Sequence, residues 1–463
     1  MAGEKGTDVR AGLLALLLLA GQQTSPLPNP FHGGVPSGTS TGDSLALSIA
    51  DAITRALEHN LGILTSEQAS EQARGARWVA LSQLLPNISG RLSETRQKIN
   101  LAVFGFPLPA GVPPVVGPLN VFDARLYLSQ SVFDLSAIND ARAAAHDAAA
   151  ARYAYKSARD LVVLVAADMY LQALAASARA DSARAQVETA QALYRQAIDL
   201  KQNGLIAGID VLRAQVQLNT EQQRATATQN DFEKAKLHLA RVVGLPIGQA
   251  FTLSDQIPYA PVPDMTLEQA LDRAYKGRPD YQAALERVQA AEASRAAAHA
   301  EALPSVRVTA DFGDIGLSPG DARGTFNITG ALNVPIFQGG RVQGRVLEAG
   351  AELRRRRAEA DDLKAGIYYD VRTAFLDLQA TGQQLDVATK NRELAAAQLA
   401  QARDRFAAGI ASNIEVIQAQ EAVTLASEQY IAGLYSYNVS KAALAQSFGA
   451  AEEAVRRYLG GSR

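Results

Sequence analysis

The sequence predicts a mainly α-helical chain with a small β part, built from two related halves, each holding short helices, a strand pair and a long helical hairpin. Three observations carry this. The segment Gly204-Leu205-Ile206-Ala207-Gly208-Ile209-Asp210-Val211-Leu212-Arg213-Ala214-Gln215 returns as Gly409-Ile410-Ala411-Ser412-Asn413-Ile414-Glu415-Val416-Ile417-Gln418-Ala419-Gln420, an offset of 205 residues from Gly204 to Gly409. Leu47 to Ile53 matches Met265 to Leu271 at an offset of 218. After Leu85-Pro86 and Leu303-Pro304 the hydrophobic period changes from helical to two.

At the N-terminus, Lys5 and Arg10 precede the apolar run Ala11 to Ala20. A run of about ten residues has the length of an export signal, half of what a bilayer-spanning helix needs. Residues 1–21 are therefore read as a signal peptide. Leu19-Ala20-Gly21 resembles a lipoprotein box, but Gln22 stands where acylation needs a thiol. No later stretch reads as a transmembrane helix, so membrane entry is expected through strands. Residues 22–43, rich in Pro, Gly, Ser and Thr, are expected to be a flexible linker or an irregular tail.

Ser48 is placed to cap a short helix, and the next helix is expected to reach Leu85-Pro86, with a counterpart ending at Leu303-Pro304. Asn87 to Leu92, Asp123 to Ser129, Ser305 to Phe312 and Thr325 to Val334 alternate polar and apolar residues. That pattern fits a sheet between lipid and water, and equally a half-buried sheet in a soluble domain. The linkers tip the balance. One is long and Pro-rich, roughly Asn100 to Asn120, the other short, about Gly316 to Gly324, as in an outer-membrane hairpin. Four strands do not close a transmembrane barrel; two chains would give about eight strands with a filled interior, and three about twelve with room for a lumen.

The chain re-enters helix at Phe133-Asp134 and at Pro335-Ile336-Phe337-Gln338-Gly339-Gly340-Arg341. Ala-rich runs of about seventy residues, roughly 100 Å, then lead to the repeated segments. In each of these a Gly follows a helix and an acidic residue opens the next, which reads as a hairpin tip. The helices leaving the tips carry residues at seven-residue spacing, Val211, Leu218, Ala225, Phe232, Leu239 and Val416, Val423, Tyr430, Tyr437, Leu444, a pattern for supercoiling against neighbours.

A formal charge of −2 gives no basic footprint for nucleic acid, and the absence of cysteine excludes disulfides and thiolate chemistry. His32, His59, His146, His238 and His299 have no metal-ligand spacing, and no phosphate loop or nucleophile triad stands out. Neither an enzyme nor a cofactor is expected. Arg354 to Arg357 lie among Glu348, Glu352, Glu359, Asp361 and Asp362 and read as a solvated, salt-bridged face. Trp78 and the helix tyrosines read as packing residues, Tyr127 and Phe133 as candidates for an aromatic belt.

The corner at 335–341, the Leu-Pro pairs before the strands and the two tips resemble the TolC family of outer-membrane efflux proteins, the outer-membrane factors, over about Leu45 to Gly449. The resemblance implies a homotrimer whose strands form one twelve-stranded outer-membrane barrel continued by a periplasmic α-helical barrel. It also implies a passive duct for drugs, metal ions or proteins, reached through a periplasmic adaptor protein from an inner-membrane pump. Residues 44–256 and 257–450 then become the two family repeats and 451–463 a C-terminal tail. By the same resemblance Asp210, Glu415 and Phe406 belong to the periplasmic aperture, and Gly204, Leu205, Gly409 and Ile410 to the adaptor-contacting tips. Pro335, Phe337, Gly339 and Gly340 form a strand-helix corner. Phe406 replaces a gating tyrosine, Ala411 a gating arginine and Gln418 a second acidic residue. On the residues alone, Asp210 and Glu415 read first as helix N-terminal carboxylates. The alternative to a duct is an exported, periplasm-spanning coiled-coil scaffold with a soluble β-domain.

Overall fold

The computed structural model describes residues 29–105, 111, 113–257, 265–408, 410, 412–449 and 451–452; the predicted signal peptide lies outside them, as does nearly all of the predicted tail. The helices are α1 (Ile49–His59), α2 (Leu61–Ser82), α3 (Leu135–Gln202), α4 (Gly208–Val242), α5 (Leu267–Gly277), α6 (Pro279–Ala300), α7 (Arg341–Ala407) and α8 (Asn413–Ser447). The strands are β1 (Leu45–Leu47), β2 (Asn87–Asn100), β3 (Val115–Phe133), β4 (Phe251–Leu253), β5 (Ser305–Gly316) and β6 (Arg323–Asn333). The duplication is visible in the lengths. The pairs α1/α5, α2/α6 and α4/α8 have 11, 22 and 35 residues in both halves, and α3 and α7 have 68 and 67.

The chain divides into two compact units. The first comprises Met1–Thr65, Ala158–Leu267 and Arg372–Arg463, as far as these are described. Its core includes Val162, Val163, Tyr170 and Leu171 of α3 with Leu47, Ile53 and Leu239, all fully buried or nearly so. Each such side chain contributes about 1.5–3 kcal/mol of burial. The Tyr170 hydroxyl reaches the Leu47 carbonyl at 2.8 Å and Asp255 Oδ2 at 2.9 Å, and the Ile49 backbone amide donates to the same carboxylate oxygen at 2.7 Å. One phenol thus ties α3 to the parallel ladder in which Leu45, Ala46 and Leu47 pair with Phe251, Thr252 and Leu253. Contrary to expectation, α3 carries a stretch long and apolar enough to cross a bilayer, yet more than half of it is buried in the protein. It belongs to this core.

Within the predicted linker 22–43, the part from Asn29 onward is irregular but fastened. Asn29 caps a 3₁₀ turn at Pro30–His32, and Gly34 bridges to Asn60. A Cβ at Gly62 would stand 2.2 Å from the Phe31 ring, and one at Gly34 would stand 2.4 Å from the Arg241 carbonyl. Small residues let this segment lie flat on the helices. Ser48 caps α1 as expected, in a reciprocal box with Asp51.

The second unit, Ser66–Ser157 and Glu268–Val371, holds the antiparallel sheet β2-β3-β5-β6. Its edge strands β2 and β6 have no further partner among the described residues. The register aligns Gly90, Leu126, Phe312 and Phe326 in one row and Ile88, Leu128, Ala310 and Ile328 in the next, all on one face. Arg91, Arg125, Gly313 and Thr325, then Ser89, Tyr127, Asp311 and Asn327, occupy the other. Ile88, Leu92, Leu126, Phe312, Phe326, Ile328 and Leu332 are exposed. An apolar face this complete and this uncovered is what a lipid-facing surface requires.

The strands of the first hairpin exceed the expected spans, because residues 93–100 and 115–122 lose the apolar alternation while keeping the ladder. Pro118 is accommodated where the register shifts between Gln97 and Ile99, and so costs no ladder bond. α2 and α6 end three residues earlier than Leu85 and Leu303, in hydrogen-bonded turns such as Leu303 N–H to the Ala300 carbonyl at 2.9 Å. The residue before a proline resists helical geometry. Tyr127 lies on the polar face and Trp78 is exposed, so neither takes its expected place. Arg355 and Arg356 pair with Glu352 and Glu359, and Arg357 with Glu292, as a salt-bridged face should.

At the second strand-helix corner, Gly339 and Gly340 have φ of 58° and 83°, left-handed values that favour glycine. Arg341 donates to Glu301 Oε2 at 2.6 Å, and the Gln338 amide donates to the Glu301 carbonyl at 3.3 Å. Pro335 leads into this corner, and Phe337 projects from it almost fully exposed.

Replacing Tyr170 by Phe removes the hydroxyl's bonds to the Leu47 carbonyl, which keeps the Ser254 amide at 3.1 Å, and to the Asp255 carboxylate; it should lower unfolding stability by about 1–3 kcal/mol, measured by denaturant titration. A loss indistinguishable from zero would mean that this anchor is not stabilising.

Candidate functional site: the hairpin tips

Both tips lie in the first unit. The first long Ala-rich helix stops where a glycine takes the left-handed conformation. Gly204 has φ of 72°, its amide donates to the Lys201 carbonyl, and the Leu205 amide reaches back to Leu200 at 2.9 Å. In the second copy the Ile410 amide makes the same reach to Arg405, again at 2.9 Å. These bonds satisfy helix carbonyls that would otherwise be orphaned. Leu205 and Ile410 project outward, 69% and 71% exposed. Gly409 and Ala411 lie outside the described residues.

The tips are joined. The Asn413 side chain, 2% exposed, donates to the Asp210 carbonyl at 3.0 Å. Behind this bond Phe406, Leu193, Leu399, Ala402, Val416 and Ala419 form a buried cluster, with Leu200 and Val423 packed against it. Phe406, 4% exposed, is therefore drawn into the packing between helices within one chain. Asp210 and Glu415 stand in the first turns of α4 and α8. Asp210 pairs with Arg213 at 3.1 Å on its own helix, whereas Glu415 pairs with Arg405 at 3.1 Å across its hairpin. Exposed pairs like these contribute about 0.2–1 kcal/mol. Gln418 is exposed.

Further along α4 and α8 lies a buried polar layer that the sequence reading missed. Glu221 is fully buried, held by Gln217 at 3.0 Å and Arg224 at 3.2 Å. Burial pushes its carboxyl above the usual carboxylate range, Arg224 pulls it down less, and Glu421 adds to the rise. The Gln420 amide donates to the Gln186 carbonyl at 3.3 Å. A signal existed, since Glu221 follows Leu218 by three residues and so takes the second core position of the heptad. Asn413 and Arg405 flank the tip, yet which groups they meet depends on tertiary contacts. The corner residues Pro335, Phe337, Gly339 and Gly340 belong to the other unit.

A duplicated chain with a lipid-type sheet and two linked helical tips is of the outer-membrane channel class. The sequence model described as outer membrane efflux protein matches residues 52–245 and 270–450, and the chain belongs to that family. It is a protein of the bacterial outer membrane that extends into the periplasm. Among relatives, the alkaline protease secretion protein AprF of Pseudomonas aeruginosa is 21% identical over 425 residues, 89% of this chain and 86% of that one. The pyoverdine export outer membrane protein OpmQ of Pseudomonas putida is 23% identical over 390 residues, 81% and 80% of the two chains. The crystal structure of the Campylobacter jejuni CmeC outer membrane channel aligns with a TM-score of 0.73 at 18% identity, over 93% of this chain and 94% of that one.

Two outcomes are expected at the tips. Phe406→Ala should cost about 3–5 kcal/mol and open the tip to amide exchange ahead of the rest of α7 and α8; unchanged exchange there would remove its packing role. For Glu221, the folded state binds the proton more tightly than the unfolded chain. Stability therefore falls as pH rises from the unfolded pKa, about 4.3, through the raised folded value. Glu221→Gln should be more stable than the wild type at pH 8, with the gap closing toward pH 4, and an equal gap at both ends would contradict this.

Proposed function

We propose that three copies of this chain form a homotrimeric exit duct, each supplying four strands to a twelve-stranded barrel in outer-membrane lipid. The observation that carries this is the open, amphipathic sheet. Its apolar face suits lipid, but β2 and β6 have unpaired backbone edges. Each unsatisfied backbone group costs several kcal/mol in hydrocarbon, so edges must meet edges of other copies. Twelve strands leave room for a lumen where eight fill their interior. An exported scaffold with a soluble β-domain would need a cover for the same apolar face.

The duct itself performs no chemistry. It is a passive conduit of an efflux or type I secretion system, and energy comes from an inner-membrane pump. A periplasmic adaptor docks on the exposed Leu205 and Ile410 beside Gly204 and Gly409. The cargo class is wide, since the relatives include a protease secretion protein and a pyoverdine export protein. At the aperture Asp210 and Glu415 form rings of negative charge that favour cations.

The native mass of the protein extracted from outer membranes in mild detergent should correspond to three chains; a monomer released without detergent would overturn the duct. In bilayer recordings, Ala at both Asp210 and Glu415 should lower cation preference, and unchanged ion selectivity would remove the acidic rings.

A further inference from the structure

We infer that the polar face of the sheet is an anion-binding belt, with Arg91, Arg323 and Arg307 as its binding groups and the cluster Asp123, Arg125, Asp311 as its support. The inference rests on the duct reading, in which this face lines the barrel.

Arg91 and Arg125 are directly opposite one another in the β2-β3 register, a placement that destabilises a sheet when both charges are free. Only one of them is. Arg125 donates through Nε to Asp123 Oδ1 at 2.7 Å, makes a second contact with that carboxylate, and reaches Asp311 on β5 at 3.0 Å. All three side chains are largely withdrawn from solvent. Gly313, next in the row, leaves the space this requires, since a Cβ there would stand 2.8 Å from Arg125 Cγ and 2.2 Å from the Ala124 carbonyl. The guanidinium groups of Arg91 and Arg125 lie 5.6 and 5.7 Å from the centroid of the Tyr127 ring. Tyr127 thus steadies Arg91 by cation–π attraction without neutralising it.

What remains is an excess of positive charge. Between Asn87 and Ser93, Asp123 and Ser131, Ser305 and Ile315, and Arg323 and Asn333, this face carries four arginines and two aspartates. Arg91, Arg307 and Arg323 are exposed, and among the described residues none has a carboxylate within ion-pair distance; Arg307 donates only to the Ser129 hydroxyl at 3.3 Å. Arg323 opens β6 beside the β5-β6 loop, and Arg91 stands in the adjacent row of the same face, nearer the start of β2 than its loop end. Arg307 lies eight residues along β5 from the register of Arg323, about 27 Å away at 3.4 Å per residue. A guanidinium binds carboxylate, phosphate or sulfate groups bidentately, and low-dielectric walls strengthen its field in a lumen. The belt therefore recruits anionic groups of a solute at two levels of the barrel, about 27 Å apart.

The test uses the reconstituted full-length protein in planar bilayers under a KCl gradient, with inorganic pyrophosphate as the probe from the hairpin-loop side. Pyrophosphate should reduce the wild-type conductance. The triple variant Arg91→Gln, Arg307→Gln, Arg323→Gln should lose this block and lower the chloride-to-potassium permeability ratio by about twofold or more. The corresponding triple Lys variant should keep the ratio, because it keeps the charge. An unchanged ratio and an unchanged block in the Gln variant, with trimer mass intact, would overturn the belt, as would a Lys variant indistinguishable from the Gln one. A wild type with no conductance at all would remove the duct and this inference with it.

Discussion

Hydrogen bonding of the backbone at the two edges of the β2-β3-β5-β6 sheet is the constraint on which the rest of the molecule depends. Within the sheet every strand is paired, but β2 and β6 each offer a row of amides and carbonyls outward. In water such edges are a hazard; in lipid they are prohibitive. In the proposed duct, a chain with this sheet is committed to self-association before anything is said of its helices. The helices conform to that commitment. They are long, rich in alanine and poor in large apolar residues, so each buries little by itself and gains from close lateral neighbours.

Stability within the first unit comes from many small contacts and a few polar anchors. Most of the buried positions of α3 are alanines, with Val162, Val163, Tyr170, Leu171, Leu174 and Leu193 as the larger apolar exceptions. Tyr170 does what alanines cannot, since its hydroxyl reaches across to β1 and to Asp255. The buried layer of Glu221, Gln217 and Gln420 is a different device. Polar groups among packed helices constrain register because only one alignment satisfies them.

The fold was legible wherever local periodicity and duplication reinforced each other. The tips, the strand pairs and the corners all follow from repeated residues whose backbone demands are local. Less legible were features that depend on tertiary partners. The segment after Asn29 has the composition of a loose linker, yet Gly34 and Gly62 let it lie against helices far away in sequence. Tyr127 has the composition of a lipid belt but a register on the polar face. Phe406 sits beside the tip in sequence, and only the packing of Leu193 and Val416 around it shows that it is core. The family itself was legible because the order of elements, repeated twice, says more than any single motif.

The two carboxylates at the tips are fastened differently, and this has a mechanical consequence. Glu415 is tied to Arg405 on the opposite arm of its hairpin, whereas Asp210 is tied to Arg213 on its own arm. Spreading α7 from α8 at the tip works against a Coulomb attraction, and spreading α3 from α4 there leaves the Asp210 pair whole. In a ring of three chains, stiff and compliant hairpins would therefore alternate. The stiff ones would soften as added salt shortens the Debye length from about 8 Å at physiological ionic strength. Such a ring does not dilate like an iris with equal blades; it yields first at every second spoke.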